Sequence, residues 1–356
     1  MNLPFHGANP RQLYERVGLP FPKAWIDFSV NTNPYSLPLS MLPTQAEFYR
    51  WSMEYPDPDA SELVSYIARL ERISKEQLLI GNGASQCIYL LAQLFSGKKV
   101  GLAEPTFSEY RRACEVNGCS IFSIVSDEAS DWTYEQSKLL ELVEQVDVFF
   151  LCHPNNPTGT VMTKEQLYSL LEVAERANTF VAIDEAFYHF WEEAFTALEW
   201  IHSFPHLIVI RSLTKMYHLA GVRIGYIVAN ADIIEKVKML QPPWSVSQVA
   251  QQLALHLLPM NEFVVHTKRM IAFERARIKA ILEESGYYVS PSVANFYLLR
   301  APHLSTEKLL YDLLKEGLIP RHTANFRGLD GRYLRLAVKT KEENDQLLHV
   351  LTRWSR

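Results

Sequence analysis

Between about residues 75 and 240, short apolar runs alternate with longer amphipathic stretches, and this alternation constrains the chain more than any other feature. The runs lie at 78–80, 100–102, 121–125, 148–151, 180–183, 207–210 and 224–228. Runs this short, without a polar alternation, suit strands covered on both faces. Thr163-Lys164-Glu165-Gln166 has the spacing of a capping box and predicts a helix over 163–177. Strands alternating with helices predict an α/β domain whose mostly parallel sheet is sandwiched by helices.

The two ends of the chain are patterned differently. Asn9-Pro10 and Gly18 bracket a short helix with an Asn cap, a first-turn proline and a glycine stop. Another helix opens at Asp59-Ala60-Ser61-Glu62. A long charged helix over 262–285 ends at Gly286, followed by strand-like 295–299, a helix over 305–316, strand-like 333–338 and a last helix. The expectation is a smaller α+β domain drawing on both ends. Residues 1–45 would form an arm and part of this small domain, 46–240 the large domain, and 241–356 a linking helix and the small C-terminal domain. With 356 residues the chain has room for both.

Composition excludes several roles. Hydrophobic residues make up 48% and charged residues 21%, an ordinary globular mixture. The net charge of −5 predicts no nucleic-acid partner. No apolar run approaches the ~18 residues of a membrane span, and the first residues lack the basic head and apolar core of a signal peptide. The four cysteines, Cys87, Cys114, Cys119 and Cys152, have no metal-ligand spacing, so no metal is expected. They read as reduced thiols of a cytoplasmic protein.

In parallel sheets, ligands gather outside the carboxyl ends of the strands. Three different functional groups follow three predicted strand ends: Asn156 in Asn155-Asn156-Pro157-Thr158-Gly159, Asp184 after 180–183, and Lys215 in Ser212-Leu213-Thr214-Lys215. An amide, a carboxylate and an amine so placed are the parts needed to hold pyridoxal phosphate. Lys215 would bond to the cofactor aldehyde, Asp184 would pair with the pyridine nitrogen, and Asn156 would donate to the ring oxygen. Each residue also has a plain reading: a surface lysine, a helix cap, a turn amide. Ser212, Thr214 and Arg223 add two hydroxyls and a guanidinium suited to a phosphate. Gly81-Asn82-Gly83-Ala84-Ser85 joins a strand to a helix, so Gly83, Ala84 and Ser85 could offer backbone amides to the same anion. Phe107 could stack on a ring or sit in the core. Arg335, on the apolar strand 333–338, requires an anion or a snorkelling path, and a substrate carboxylate is one such anion. Arg321 and Arg327 bind a second substrate anion or are surface charge.

The ordered set Asn156-Pro157-Thr158-Gly159, Asp184-Glu185-Ala186, Ser212-x-x-Lys215 and Arg223-x-Gly225 resembles fold-type I pyridoxal-phosphate aminotransferases, the class I/II group, over nearly the whole chain. The resemblance implies that Lys215 carries the cofactor, Asp184 pairs with its ring nitrogen, Arg223 binds its phosphate and Arg335 clamps a substrate carboxylate. Tyr55 in Tyr55-Pro56-Asp57-Pro58 matches a tyrosine that reaches the cofactor phosphate of the neighbouring subunit, which implies a homodimer with shared sites. The segment Phe28-Ser29-Val30-Asn31-Thr32-Asn33-Pro34 and the Arg321 region are similar to histidinol-phosphate aminotransferases. His6-Gly7-Ala8-Asn9, Phe187 in place of a tyrosine, and Pro243-Trp244-Ser245-Val246 look more like threonine-phosphate decarboxylases of cobalamin biosynthesis. Ala8, Tyr35-Ser36 and His322 depart from the usual residues. The expected reaction is decarboxylation of L-threonine O-3-phosphate to aminopropanol phosphate; the alternative is a histidinol-phosphate-type or other class I/II aminotransferase. Arg335, Arg321, His6, Asn31 and Arg327 are the expected substrate contacts.

Overall fold

The computed structural model describes residues 3–38, 41–303 and 305–354. Its strands are β1 (Ile26–Asp27), β2 (Leu78–Gly81), β3 (Lys99–Glu104), β4 (Ser120–Val125), β5 (Val148–Cys152), β6 (Phe180–Asp184), β7 (Leu207–Ser212), β8 (Gly225–Val228), β9 (Tyr288–Val289), β10 (Phe296–Arg300), β11 (Leu318–Ile319), β12 (Arg321–His322) and β13 (Leu334–Ala337). The helices are α1 (Pro10–Val17), α2 (Gln45–Met53), α3 (Ser61–Glu71), α4 (Gly83–Leu94), α5 (Ser108–Val116), α6 (Gln136–Glu144), α7 (Lys164–Ala177), α8 (Ala231–Leu240), α9 (Gln248–Leu257), α10 (Asn261–Glu284), α11 (Thr306–Lys315) and α12 (Lys341–Trp354).

All seven apolar runs become strands of one sheet, in the order β2-β8-β7-β6-β5-β3-β4. Strands β3 to β7 run parallel, and β8 is antiparallel to both β2 and β7. The sheet separates two apolar layers. Leu151, Ile183 and Val209 face one, while Phe150, Ala182, Ile208 and Ile210 face the other. Covering both faces explains why these strands read as continuous apolar runs. The capping box at Thr163 is formed, with its hydroxyl accepting from Gln166 N.

The chain ends meet. Strand β1 pairs in parallel with β11, and the Tyr14 hydroxyl on α1 donates to Leu314 O on α11. A separate antiparallel sheet runs β12-β13-β10-β9. In it Arg321 of β12 lies opposite Arg335 of β13. No helix of the described residues is long and apolar enough to cross a membrane, and they contain no cluster of three metal-binding side chains.

Candidate active site

Asp184 is the last residue of β6 and is buried. The Tyr110 hydroxyl donates to its Oδ2 at 2.7 Å and the Ala186 N–H to its Oδ1 at 2.9 Å. Burial pushes the Asp184 carboxyl up to about 6; the two hydrogen bonds and the Lys215 charge act the other way. Lys215 lies in the β7–β8 connection, and its Nζ donates to Asn31 Oδ1 at 3.3 Å. That nitrogen also sits 5.6 Å from the centre of the Phe187 ring. Burial lowers the Lys215 ammonium to about 8, helped by Arg335 and Arg223 and opposed by Asp184. An amine so shifted can lose its proton near neutrality.

Asp184 and Lys215 face one cavity of about 80 Å³, whose walls include Ala84, Ser85, Phe107, Asn156, Phe187, Ser212, Thr214 and Arg223. The strands explain the meeting. Asp184, Ser212 and Lys215 come from adjacent strand ends, because β6 and β7 pair in parallel. Asn156 follows β5, the next strand over. Close approach at the cavity's edge depends on two glycines. A Cβ at Gly83, where φ is +76°, would lie 2.7 Å from Arg223 Nη2; one at Gly225 would lie 2.8 Å from Ala84 N. Asn82, at the N-cap of α4, forms no side-chain cap and instead donates to Ser245 O. The first amides of α4 therefore lack a side-chain acceptor, which suits an anion. Nearby, Ser212 Oγ and Thr214 Oγ1 lie 2.8 Å apart.

Arg335 Nη1 donates to Asn156 Oδ1 at 2.6 Å and Nη2 to Ser29 O at 2.8 Å. Its Nε is buried without a hydrogen-bond partner, as is Asn31 Nδ2. Its guanidinium lies 5.3 Å from the Phe296 ring centre. Arg321 is also buried and donates to the carbonyls of His322 and Phe5 and to Asn325 Oδ1. Neither arginine forms an ion pair among the described residues. Burial pushes Arg335 down to about 10 and Arg321 to about 9; Arg335 adds to the second shift, and Asp27 opposes the first.

Tyr55, expected to reach the neighbouring subunit's cofactor, and His6 and Arg327, expected to bind substrate, stand outside the wall of the Lys215 cavity. Tyr55 is 85% exposed and rests edge-on against Trp244. His6 Nε2 is 3.1 Å from Glu109 Oε1, and Arg327 Nε is 3.5 Å from Glu104 Oε2. Neither lines the Lys215 cavity. Conversely, sequence patterning did not single out Tyr110 or Phe296. Tyr110 is three residues after Phe107 on α5, and only its contact with Asp184 distinguishes it from a core tyrosine.

Residues 23–351 match the family described as aminotransferase class I and II. The chain belongs to this family. Among relatives, it is 31% identical to the threonine-phosphate decarboxylase of Salmonella typhimurium, over 97% of this chain and 95% of that one. It is 29% identical to the histidinol-phosphate aminotransferase of Caldanaerobacter subterraneus subsp. tengcongensis, over 90% of each. The solved structure of the histidinol-phosphate aminotransferase from Clostridium acetobutylicum is 30% identical, with a TM-score of 0.87 over 93% of this chain and 99% of that one. This class I and II aminotransferase chain is an enzyme of the decarboxylase or aminotransferase kind, and pyridoxal 5′-phosphate is its cofactor. The residues present fit that group. A carboxylate and an amine share one cavity, and two hydroxyls, Arg223 and uncapped helix amides gather at its edge.

Proposed function

We propose that the enzyme decarboxylates L-threonine O-3-phosphate to aminopropanol phosphate, in cobalamin biosynthesis, as a cytoplasmic homodimer. The observation that carries this reading is the pair of buried cations facing each other across β12 and β13. Arg321 and Arg335 are register partners, and neither forms an ion pair among the described residues. Two unneutralised cations so close call for a ligand that brings two anions at once. Threonine phosphate carries a carboxylate and a phosphate on one small skeleton. Histidinol phosphate carries only the phosphate.

Pyridoxal phosphate, when bound, supplies an electron sink conjugated to the substrate Cα. The residues of this chain do the rest. Asp184 would present a negative charge to the bound ring, while Ser85, Ser212, Thr214, Arg223 and the amides of Gly83 and Ala84 would hold the cofactor phosphate. Phe107 covers one side of the cavity. Lys215 is the attachment point, and its Nζ then holds or releases a proton beside the substrate. Arg335, braced by Asn156, takes the substrate carboxylate. Arg321, with Asn31, His6 or Arg327, takes the substrate phosphate. Arg321 also donates to Phe5 O, which sets the N-terminal segment beside it.

The dimer reading rests on Tyr55, exposed and edge-on against exposed Trp244, an apolar pair left to cover. In such a dimer, Tyr55 of the partner subunit would help hold the cofactor phosphate. Four free cysteines support the cytoplasmic setting. The similarity to histidinol-phosphate aminotransferases favours a second reading, transamination of that or another amine. The test incubates holoenzyme with O-phosphothreonine, and separately with histidinol phosphate plus 2-oxoglutarate. Carbon dioxide and aminopropanol phosphate are expected from the first; glutamate from the second, with no carbon dioxide from the first, overturns the proposal.

A further inference from the structure

Among the described residues, two groups hydrogen-bond to the Asp184 carboxylate, and both donate. The Ala186 N–H can only donate, and it fixes Oδ1. The Tyr110 hydroxyl has one proton, and at 2.7 Å it reaches Oδ2. Tyr110 is itself held. Its ring stacks on Phe150 at 5.7 Å with an interplanar angle of 21°, and Phe107 meets it edge-on at 5.8 Å. The hydroxyl is buried from water along with the carboxylate.

We propose that Tyr110 is a positioning residue that fixes the rotation of the Asp184 carboxylate and selects its charged form. The proposal rests on the cofactor reading above, in which Asp184 pairs with the protonated pyridine nitrogen. A neutral carboxylic acid at that place would keep both contacts only if the Tyr110 hydroxyl turned to accept its proton, and the charge-assisted bond that the hydroxyl donates to the anion would be lost. Donors on both oxygens therefore favour the anion, whereas burial favours the acid. The other ionisable groups around Asp184 are Cys87 on α4, Cys152 on β5, the adjacent Glu185, and Lys215. Both thiols are pushed well above their ordinary range by burial and by the Asp184 charge, so they stay neutral. Cys152 already donates to Pro154 O. Glu185 is occupied by Arg211, Thr196 and the Ala197 N–H. Lys215 is a cation that comes and goes with pH. Tyr110 is thus the side chain that, among the described residues, hydrogen-bonds directly to the Asp184 carboxylate.

The experiment uses carbon-13 NMR of aspartate side-chain carboxyls in cofactor-free protein, with Asp184→Asn to assign the signal. Tyr110→Phe is expected to move the Asp184 midpoint up by about one pH unit or more. The same variant should bind pyridoxal phosphate about tenfold more weakly at pH 7, read from tryptophan fluorescence. 3-Fluorotyrosine at position 110, a stronger donor, should move the midpoint down. This second arm reports even if Tyr110→Phe fails to fold. An Asp184 midpoint unmoved by either change overturns the role of Tyr110. Unaltered pyridoxal phosphate binding by Asp184→Asn would instead overturn the cofactor reading on which the role depends.

Discussion

Arg211 and Arg335 are both buried arginines on apolar strands, and their surroundings differ group by group. Arg211, on β7, donates to Glu185 Oε2 and to Thr196 Oγ1, both at 2.7 Å, and its guanidinium lies 4.1 Å from the Tyr188 ring centre. Glu71 is a second acidic neighbour at 3.9 Å. Burial opposes this charge, but Glu185, Tyr226 and Glu71 more than offset it and hold the guanidinium above its ordinary range. Arg335, on β13, has only an amide oxygen and a backbone carbonyl, with one buried N–H left over. Its charge is disfavoured by burial. A saturated ion pair stiffens a fold, whereas an unsaturated buried cation is a place for a ligand.

The largest expected effect is on the saturated site. Arg211→Met leaves buried Glu185 without its cationic partner, held only by Thr196 and the Ala197 N–H, and should cost about 3–5 kcal/mol of unfolding free energy in denaturant titration. A loss below about 1 kcal/mol would mean the pair contributes little and would erase the contrast. Arg335→Met should behave in the opposite sense. Its kcat/KM is expected to fall about 100-fold, the value of a charged hydrogen-bonded contact, while stability stays within about 1 kcal/mol of wild type. Activity retained with stability lost would make Arg335 a structural arginine like Arg211.

A third measurement uses Lys215 as a local probe. Its folded-state value, about 8, is below the ordinary lysine value of 10.5. Between these two values the unfolded chain binds more protons than the native one, so cofactor-free protein should gain stability as pH rises from about 8 to 10.5. Below pH 8 the depressed lysine is a constant penalty. Lys215→Met should flatten this rise. Arg335→Met should reduce it, because Arg335 is one cause of the shift after burial itself. An unchanged rise in both variants would remove Lys215 as its source. The smallest effect concerns the aromatic pair between the two cations. Phe187 meets Phe296 edge-on at 4.8 Å, with Lys215 over the first ring and Arg335 over the second. Phe187→Tyr should move the pH midpoint of the holoenzyme's visible absorption; superimposable curves would show that the missing hydroxyl is without consequence.

The cofactor wall was largely legible before the fold was known. Asn156, Asp184, Ser212 and Lys215 follow strands whose apolar runs are visible, and a parallel sheet gathers such strand ends by its geometry. The substrate side was less legible. Arg321 and Arg335 become neighbours through an antiparallel register, and Phe5 O reaches Arg321 from the far end of the chain. No local pattern encodes such a meeting. Tyr110 was invisible for the same reason, since 74 residues separate it from the carboxylate it touches.

By itself, the sequence determined the layered α/β architecture and the strand ends at which an amine, a carboxylate and an amide would stand. Periodicity and caps are local properties, and they survive in the one-dimensional record. Tertiary structure alone decided which charges find partners. Compensation is a matter of distances of a few ångströms between segments far apart in the chain, so Arg211 became a strut and Arg335 an open hand.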